Sequence, residues 1–247
     1  MKTNKRKKVM IIGLIVIAFL IAVYFFYKIG IINYYNIDLK VESSSINVKK
    51  EIEISETNYT GDYIASANMK IPNYFSDFVK SQDGTDIIYT KKDDENIKLV
   101  LTERKILSPI KQFEQIGIVD KDIGKEVLKE NNINQNIELL KYVANYKFSN
   151  RTIFTNIDKL LEEEAMYDFA AYYYLDNITI FDGYIDGYYS DYRDNGCKLL
   201  YIFNGDNSNL ITFCGKAYFT DDYIVDLLSK IKLDWYNYNG LMWTAVL

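Results

Sequence analysis

The sequence predicts an α+β fold: an antiparallel sheet with helices packed on both faces, preceded by one N-terminal transmembrane helix. Three observations point there. Residues 9–27 form a charge-free apolar run directly behind a basic cluster. The β-rich stretches come in neighbouring pairs split by polar turn sequences, the mark of hairpins and so of antiparallel pairing. Helical periodicity is confined to the middle of the chain and one segment near the end, so helices are grouped rather than alternating with strands.

The apolar run comes first. Its nineteen residues span roughly 28 Å as a helix, close to the hydrocarbon thickness of a bilayer. The apolar part of a secretory signal is shorter and ends in small residues. This run ends Val23-Tyr24-Phe25-Phe26-Tyr27, bulky and aromatic, and no Cys adjoins it for lipid attachment. An uncleaved anchor is the expectation. Lys2, Lys5, Arg6, Lys7 and Lys8 precede the run, and after Lys28 the next base is Lys40. Basic flanks stay cytoplasmic, so residues 1–8 are expected inside and the rest of the chain outside, at the cell membrane.

The outer part is acidic. Six of the 29 bases and none of the 34 acids lie in residues 1–28, which leaves 23 bases against 34 acids, a net of −11. That balance disfavours nucleic acid as a partner. With 23 Tyr, 13 Phe and only two Pro, the chain has ample material for a core. The lack of His beside abundant Asn, Ile, Lys and Tyr matches coding from an AT-rich bacterial genome.

Residues 28–62 read as a juxtamembrane stalk, with the linker-like Glu42-Ser43-Ser44-Ser45 and a loose strand over 46–54. The folded domain is expected over 63–234. Residues 64–71 form a strand that ends at Pro72. Residues 86–90 and 97–106 flank the polar KKDDEN and form a hairpin. Ser108-Pro109 starts a helix, with Pro in the first turn. Residues 122–131 and 136–146 are helical, the second with Ile137, Leu140 and Ala144 on one face. Thr155-Asn156-Ile157-Asp158 reads as a capping box. It opens a helix with Ile157, Leu160, Leu161, Ala165 and Phe169 toward a core and Glu162-Glu163-Glu164 on the wet side.

The last third returns to β pattern over residues 177–192. Residues 197–203 and 209–214 then flank NGDNS. Thr220-Asp221-Asp222 caps a helix whose buried face is Tyr223, Ile224, Leu227, Leu228 and Ile231. Residues 235–247 form a tail with a small hairpin at Asn239-Gly240. Two registers are open to the NGDNS turn. A Gly205-Asp206 loop sets Asn204 against Asn207 and Cys197 against Cys214, close enough for a disulfide. An Asn204-Gly205 loop pairs Cys197 with Thr212 and sends the two sulfurs to opposite faces.

Two segments resemble a known family. IPNYFSDFVKSQDGTDIIYTKKDDENIKLVLTERK is similar to the opening hairpin of the PsbP/Mog1-like α/β sandwich family, and NLITFCGKAYFTDDYIVDLLSKIKLD to its closing strand and helix. With the strands between, the resemblance covers residues 63–234. It implies an antiparallel sheet covered by helices on both sides, and accessory or binding roles of varied kind. It carries no functional residues over, and the helical insert at 108–172 departs from the simplest members.

The chemistry is bounded by what is missing. Without His, the usual general base and commonest metal ligand are absent, and Ser/His/Asp or Cys/His catalysis is excluded. No Gly-rich phosphate loop or CxxC pair occurs. Carboxylate-only hydrolysis remains open. The one chemically dense stretch is FDGYIDGYYSDYRD, where Asp182, Asp186, Tyr188, Tyr189, Asp191, Tyr192 and Asp194 are the ligand-binding candidates. Oxygen ligands among rings suit a sugar or Ca²⁺, although the spacing is not that of an EF-hand. The same residues equally describe two strands with Gly at kinks and Tyr packed on the sheet. No cofactor and no metal is implied. The expectation is a non-catalytic, membrane-anchored binding or interaction domain at the bacterial envelope. Its partners would be the membrane, through residues 9–27, and an envelope protein or cell-wall ligand. The alternative is a membrane-tethered, carboxylate-dependent hydrolase of cell-surface glycans.

Overall fold

The computed structural model describes residues 2–39, 48–66, 69–117, 121–146, 148, 151–173, 175, 178–192 and 196–233, with the side chains of residues 2–7 and of Tyr192 left aside. Both the Asn239-Gly240 hairpin and Asp194 fall outside the described residues. The chain divides into two compact units. One comprises residues 1–44 and 148–164, the other residues 45–147 and 165–247.

The first unit is built on α1 (Lys2–Tyr34). Residues Lys8–Tyr34 form a helix long and apolar enough to cross a membrane, a test that a signal sequence also meets. The large side chains from Val9 to Phe26 are mostly exposed, whereas Lys28, Ile31 and Ile37 are buried. Lys28 was expected only to flank the run. Its ammonium instead donates to the Thr155 carbonyl. The segment it meets leads into α5 (Ile157–Tyr172), whose residues up to Glu164 belong to this unit. Asn156, rather than Thr155, caps that helix: its Oδ1 accepts from the Asp158 N–H at 3.0 Å. Thr155 closes the preceding turn, accepting from the Thr152 N–H through Oγ1 at 2.9 Å.

A buried charge cluster replaces the expected wet face of α5. Arg151 is 5% exposed, Glu163 0% and Glu164 9%. Arg151 Nε donates to Glu163 Oε2 at 3.1 Å, and Nη1 to Glu164 Oε2 at 2.6 Å and to the Asp38 carbonyl at 3.1 Å. Carboxylates are enclosed only when paired, and the guanidinium fork supplies the pairing.

The second unit is an α+β assembly with eleven strands among the described residues. They are β1 (Val48–Ile54), β2 (Tyr63–Ser66), β3 (Met69–Pro72), β4 (Phe78–Asp83), β5 (Asp86–Lys91) and β6 (Asp94–Leu107), then β7 (Ile178–Gly183), β8 (Gly187–Tyr192), β9 (Cys197–Asn204), β10 (Asn207–Cys214) and β11 (Lys232–Leu233). The helices are α2 (Pro109–Glu114), α3 (Ile123–Glu130), α4 (Asn136–Asn145) and α6 (Asp221–Leu228). Eight strands form one sheet in the order β1-β7-β8-β9-β10-β6-β5-β4, and β11-β3-β2 form a second.

Every neighbour pair is antiparallel except β1 with β7, which is parallel, so the large sheet is mixed rather than purely antiparallel. Short connections make the antiparallel pairs of sequence neighbours, whereas β6 with β10, β3 with β11 and the parallel β1 with β7 join strands far apart in the chain. Val48 to Ile54 lie inside the stretch expected as stalk, and Ile54 is buried. The strand expected over 64–71 is a hairpin instead. β2 pairs with β3 in the register Tyr63↔Pro72 to Ser66↔Met69, which leaves two residues between the arms.

Caps hold the short helices. Ser108 accepts from the Lys111 N–H ahead of Pro109 in the first turn of α2. Glu138 accepts from the Asn134 and Gln135 N–H groups at the start of α4. Thr220 accepts from the Tyr223 N–H at the start of α6. α6 lays Ile224, Leu227 and Leu228 into a core with Leu99, Leu101, Phe181, Leu200, Ile202, Ile211 and Phe213. All of β9 is buried. Its alternate residue Tyr201 stacks on Tyr188 with centroids 4.9 Å apart and meets Tyr173 at 5.9 Å. Phe169 of α5 bridges Tyr173 and Phe113 of α2.

Candidate functional site

The residues singled out in FDGYIDGYYSDYRD lie on the β7–β8 hairpin and do not converge. Asp182, next to the end of β7, is 42% exposed in its side chain and ion-pairs with Lys141 at 3.5 Å; Lys141 also binds Glu51 at 2.9 Å. Asp186 sits in the turn and accepts from the Gly183 N–H at 3.2 Å. Burial pushes its carboxyl above the ordinary carboxylate range, and the charge of Asp182 adds to that. Gly187 then opens β8 where a Cβ would lie 2.0 Å from the Tyr201 carbonyl oxygen, so no side chain fits.

Strand alternation parts the two tyrosines. Tyr188 is fully buried and donates its hydroxyl to the Tyr173 carbonyl at 2.7 Å. Tyr189, on the other face, carries the Lys198 ammonium 5.6 Å from its ring centre. Asp191 is exposed and ion-pairs with Lys216 at 3.4 Å. Tyr192 pairs with Cys197 through the backbone. Two of the acids are thus at one end of the hairpin and one at the other, while the rings serve opposite faces.

The β9–β10 turn has Gly205-Asp206 as its loop, with Asn204 opposite Asn207 and Cys197 opposite Cys214. Gly205 takes φ +58°, the left-handed conformation such a loop needs. Cys197 and Cys214 are joined in a disulfide with Cα atoms 4.0 Å apart.

The most distinctive surface is one that no local motif marks. Five half-buried tyrosines form a continuous belt: Tyr59 before β2, Tyr63 at its start, Tyr74 after β3, Tyr218 after β10 and Tyr223 in α6. Edge-to-face and tilted contacts link them in a line. The centroid separations are 5.1 Å for Tyr63–Tyr59, 5.8 Å for Tyr59–Tyr74, 6.0 Å for Tyr74–Tyr223 and 6.1 Å for Tyr223–Tyr218. Three ammonium groups lie against it: Lys232 at 5.2 Å from the Tyr63 ring, Lys230 at 5.5 Å from Tyr74 and Lys91 at 5.9 Å from Tyr218.

Polar groups set the belt's middle. Tyr74 donates to Asp226 Oδ2 at 3.0 Å, and Lys230 reaches the Tyr74 hydroxyl at 2.8 Å and Asp226 Oδ1 at 2.5 Å. Burial raises the pKa of the Tyr74 and Tyr223 hydroxyls, so both stay neutral donors at physiological pH. The hydroxyls of Tyr63 and Tyr223 are enclosed without a hydrogen-bond partner among the described residues. Rings, ammonium groups and one carboxylate suit recognition: aromatic faces supply area, and the charges at their edges supply direction. Tyr223, expected on the core face of α6, is half-buried and links Tyr74 to Tyr218 in the belt. The signal that points to such a surface is the tyrosine count itself, 23 residues, more than enclosed positions absorb.

A depression of about 400 Å³ lies by α2 and α3, lined in part by Ile110, Leu128 and Ile133 with Lys125 and Lys129. Lys125 is committed to Asp122 at 3.1 Å. No group of three or more His, Cys, Asp or Glu is placed to hold a metal ion among the described residues. No family model matches the chain, and no curated protein or solved structure matches it with significance.

Proposed function

We propose that this chain is a membrane-anchored, extracytoplasmic binding or protein-interaction domain of the bacterial cell envelope, non-catalytic, with the tyrosine belt as its binding surface. The observation that carries the reading is the belt: five linked rings at the surface beneath three lysines. Tyrosine is enriched at interfaces because one side chain offers a large apolar face, a polar tip and few rotatable bonds. A protein of the envelope is the partner this chemistry fits best, with aromatic faces along the belt and the charged pair Lys230 and Asp226 at its middle. The anchor is residues 9–27. The five bases of residues 1–8 support a cytoplasmic N-terminus.

A PsbP/Mog1-like sandwich, with helices on both faces of the sheet, is the fold proposed with this function. It is supported by α6 against Leu200 and Ile202 and by Tyr173, just beyond α5, against Tyr201, which alternates with them along β9.

The test uses the full chain in membranes and a double variant, Tyr74→Ser with Tyr223→Ser. Site-specific photo-crosslinking from position 59 should capture one envelope protein with the wild type and lose it with the variant. Capture of cell-wall glycan instead would redirect the reading to a wall ligand; no capture from either source would reject the belt. Protease added to intact cells should remove the domain, and protection of the domain would reverse the orientation.

The second reading, a tethered hydrolase of surface glycans, is favoured by one observation: burial raises the Asp186 carboxyl, as a general acid requires, beside Asp182. Release of soluble fragments from purified cell wall, lost in Asp186→Asn, would establish it over the first.

A further inference from the structure

The turn at residues 152–155 presents two adjacent apolar side chains to the outside, Ile153 at 41% and Phe154 at 76% exposure. Single exposed apolar residues are ordinary. Three features set this pair apart.

The turn is tightly built. The Thr155 N–H donates to the Thr152 carbonyl at 3.0 Å, and Thr152 Oγ1 accepts from the Phe154 N–H at 3.2 Å. It is also tied down on both sides. Before it, Arg151 is buried against Glu163, Glu164 and the Asp38 carbonyl; after it, the Thr155 carbonyl accepts from Lys28. The exposed tip is therefore held outward by a rigid frame. Finally, the Phe154 ring meets Phe25 edge-on, with centroids 5.8 Å apart.

Phe25 belongs to the apolar run of residues 9–27, two residues from its end. A helix rises about 1.5 Å per residue, so Phe25 lies roughly 3 Å inside the end of the run. A ring in contact with Phe25 shares its depth to within one side chain. If residues 9–27 occupy the hydrocarbon, Phe154 lies at the boundary between hydrocarbon and headgroups, the zone that aromatic side chains prefer. Tyr24 and Tyr27, both exposed on α1, occupy the same level.

We propose that the turn at residues 152–155 is a second membrane contact, which seats Ile153 and Phe154 in the interfacial zone of the leaflet that receives the C-terminal end of α1. The partner is the lipid surface itself. The contact rests on the spanning reading of α1 and deepens it: a lone helix can rotate about its axis, whereas a helix with an apolar turn clamped to its side presents one face to the bilayer surface.

The experiment reconstitutes the full chain into phosphatidylcholine vesicles after Trp235→Phe and Trp243→Phe, with one tryptophan reintroduced at a time. Phe19→Trp reports the span and Phe154→Trp the turn. Lipids carry a nitroxide quencher at a shallow acyl position or at a deep one. The expected result is at least twofold quenching of Phe154→Trp by the shallow label, with blue-shifted emission and weaker quenching by the deep label. Quenching of Phe19→Trp, with Phe154→Trp unquenched and emitting as in water, overturns the second contact and leaves the anchor standing. Quenching of neither overturns the anchor and the contact together. If Phe154→Trp does not fold, Ile153→Trp gives the same readout under the same criteria.

Discussion

Arg151 and Tyr188 are both enclosed polar side chains, each in a different unit, and they are held by opposite physics. Around Arg151 the interior is charge, with two carboxylates and a carbonyl on one guanidinium. Around Tyr188 it is aromatic area, with Tyr201 and Phe203 against the ring and one hydrogen bond at its tip. Buried charge is nearly all-or-none, because removing one partner leaves the other desolvated and uncompensated. Aromatic packing is distributed, so the loss of one contact costs a part and not the whole. The unit that carries the apolar helix is thus the more vulnerable to a single substitution, and the sheet unit the more tolerant.

The largest expected effect follows from that contrast. Arg151→Met should destabilise the segment at 151–164 by about 3–5 kcal/mol, the cost of an orphaned buried charge. Hydrogen exchange of that segment in the membrane-reconstituted chain measures it. Adding Glu163→Gln and Glu164→Gln to the same chain should recover much of the loss. A triple variant as open as the single would show that charge is not what holds this unit.

Within the sheet unit the strongest single tie is covalent. Cys197 and Cys214 are 17 residues apart in sequence, and a loop of that size contributes on the order of 3 kcal/mol when cross-linked. The pair Cys197→Ala and Cys214→Ala should lower the urea midpoint accordingly, and dithiothreitol should do the same to the wild type. Alkylation without reductant should label neither residue. Two labelled thiols would remove the tie and leave the unit to packing alone.

A smaller step tests the distributed character directly. Tyr188→Phe keeps the ring stack and deletes the hydroxyl donated to Tyr173, which should cost about 1 kcal/mol. Tyr173→Phe deletes the bond from Tyr173 to the Leu107 carbonyl, 2.9 Å in the wild type, at a similar cost. The two hydroxyls bond separate backbone carbonyls, those of Tyr173 and Leu107, so the two costs should be close to additive. Losses several times larger would mean that the aromatic interior is as brittle as the charged one.

The smallest effect is a pH slope. Burial raises the Asp186 carboxyl above its ordinary value, so the folded chain binds that proton more tightly than the unfolded chain does. Stability from this group is therefore present at low pH and lost as pH rises through the raised pKa. Asp186→Asn should flatten the slope there and leave stability at neutral pH equal or higher. A slope unchanged in the variant would assign it to another acid.

Much of this was legible because it is local. The apolar run, the Ser108 and Thr220 caps, the helix face of α6 and the hairpin around KKDDEN all follow from patterns a few residues long, whereas α4 buries Leu139, Leu140 and Val143 in place of the expected face of Ile137, Leu140 and Ala144. The turn at NGDNS left two registers open, and the folded pair has Gly205-Asp206 at its tip. Both alternatives followed from counting outward from the turn, because alternation in a strand has a period of two.

Other features come from chain return, which no local pattern carries. β1 sits beside β7 because the edge of the sheet accepts a parallel strand from far upstream. Glu163 and Glu164 read as solvated because acids on a helix normally are; only the arrival of Arg151 at the enclosed face makes their burial affordable. The five tyrosines of the belt come from three separate stretches, 59–63, 74 and 218–223, each of which by itself reads as ordinary packing. Composition and short-range periodicity determined most of the helices and the local hairpins. Tertiary structure decided which of them meet, because pairing between distant segments depends on the burial and charge compensation available only once the whole unit has assembled.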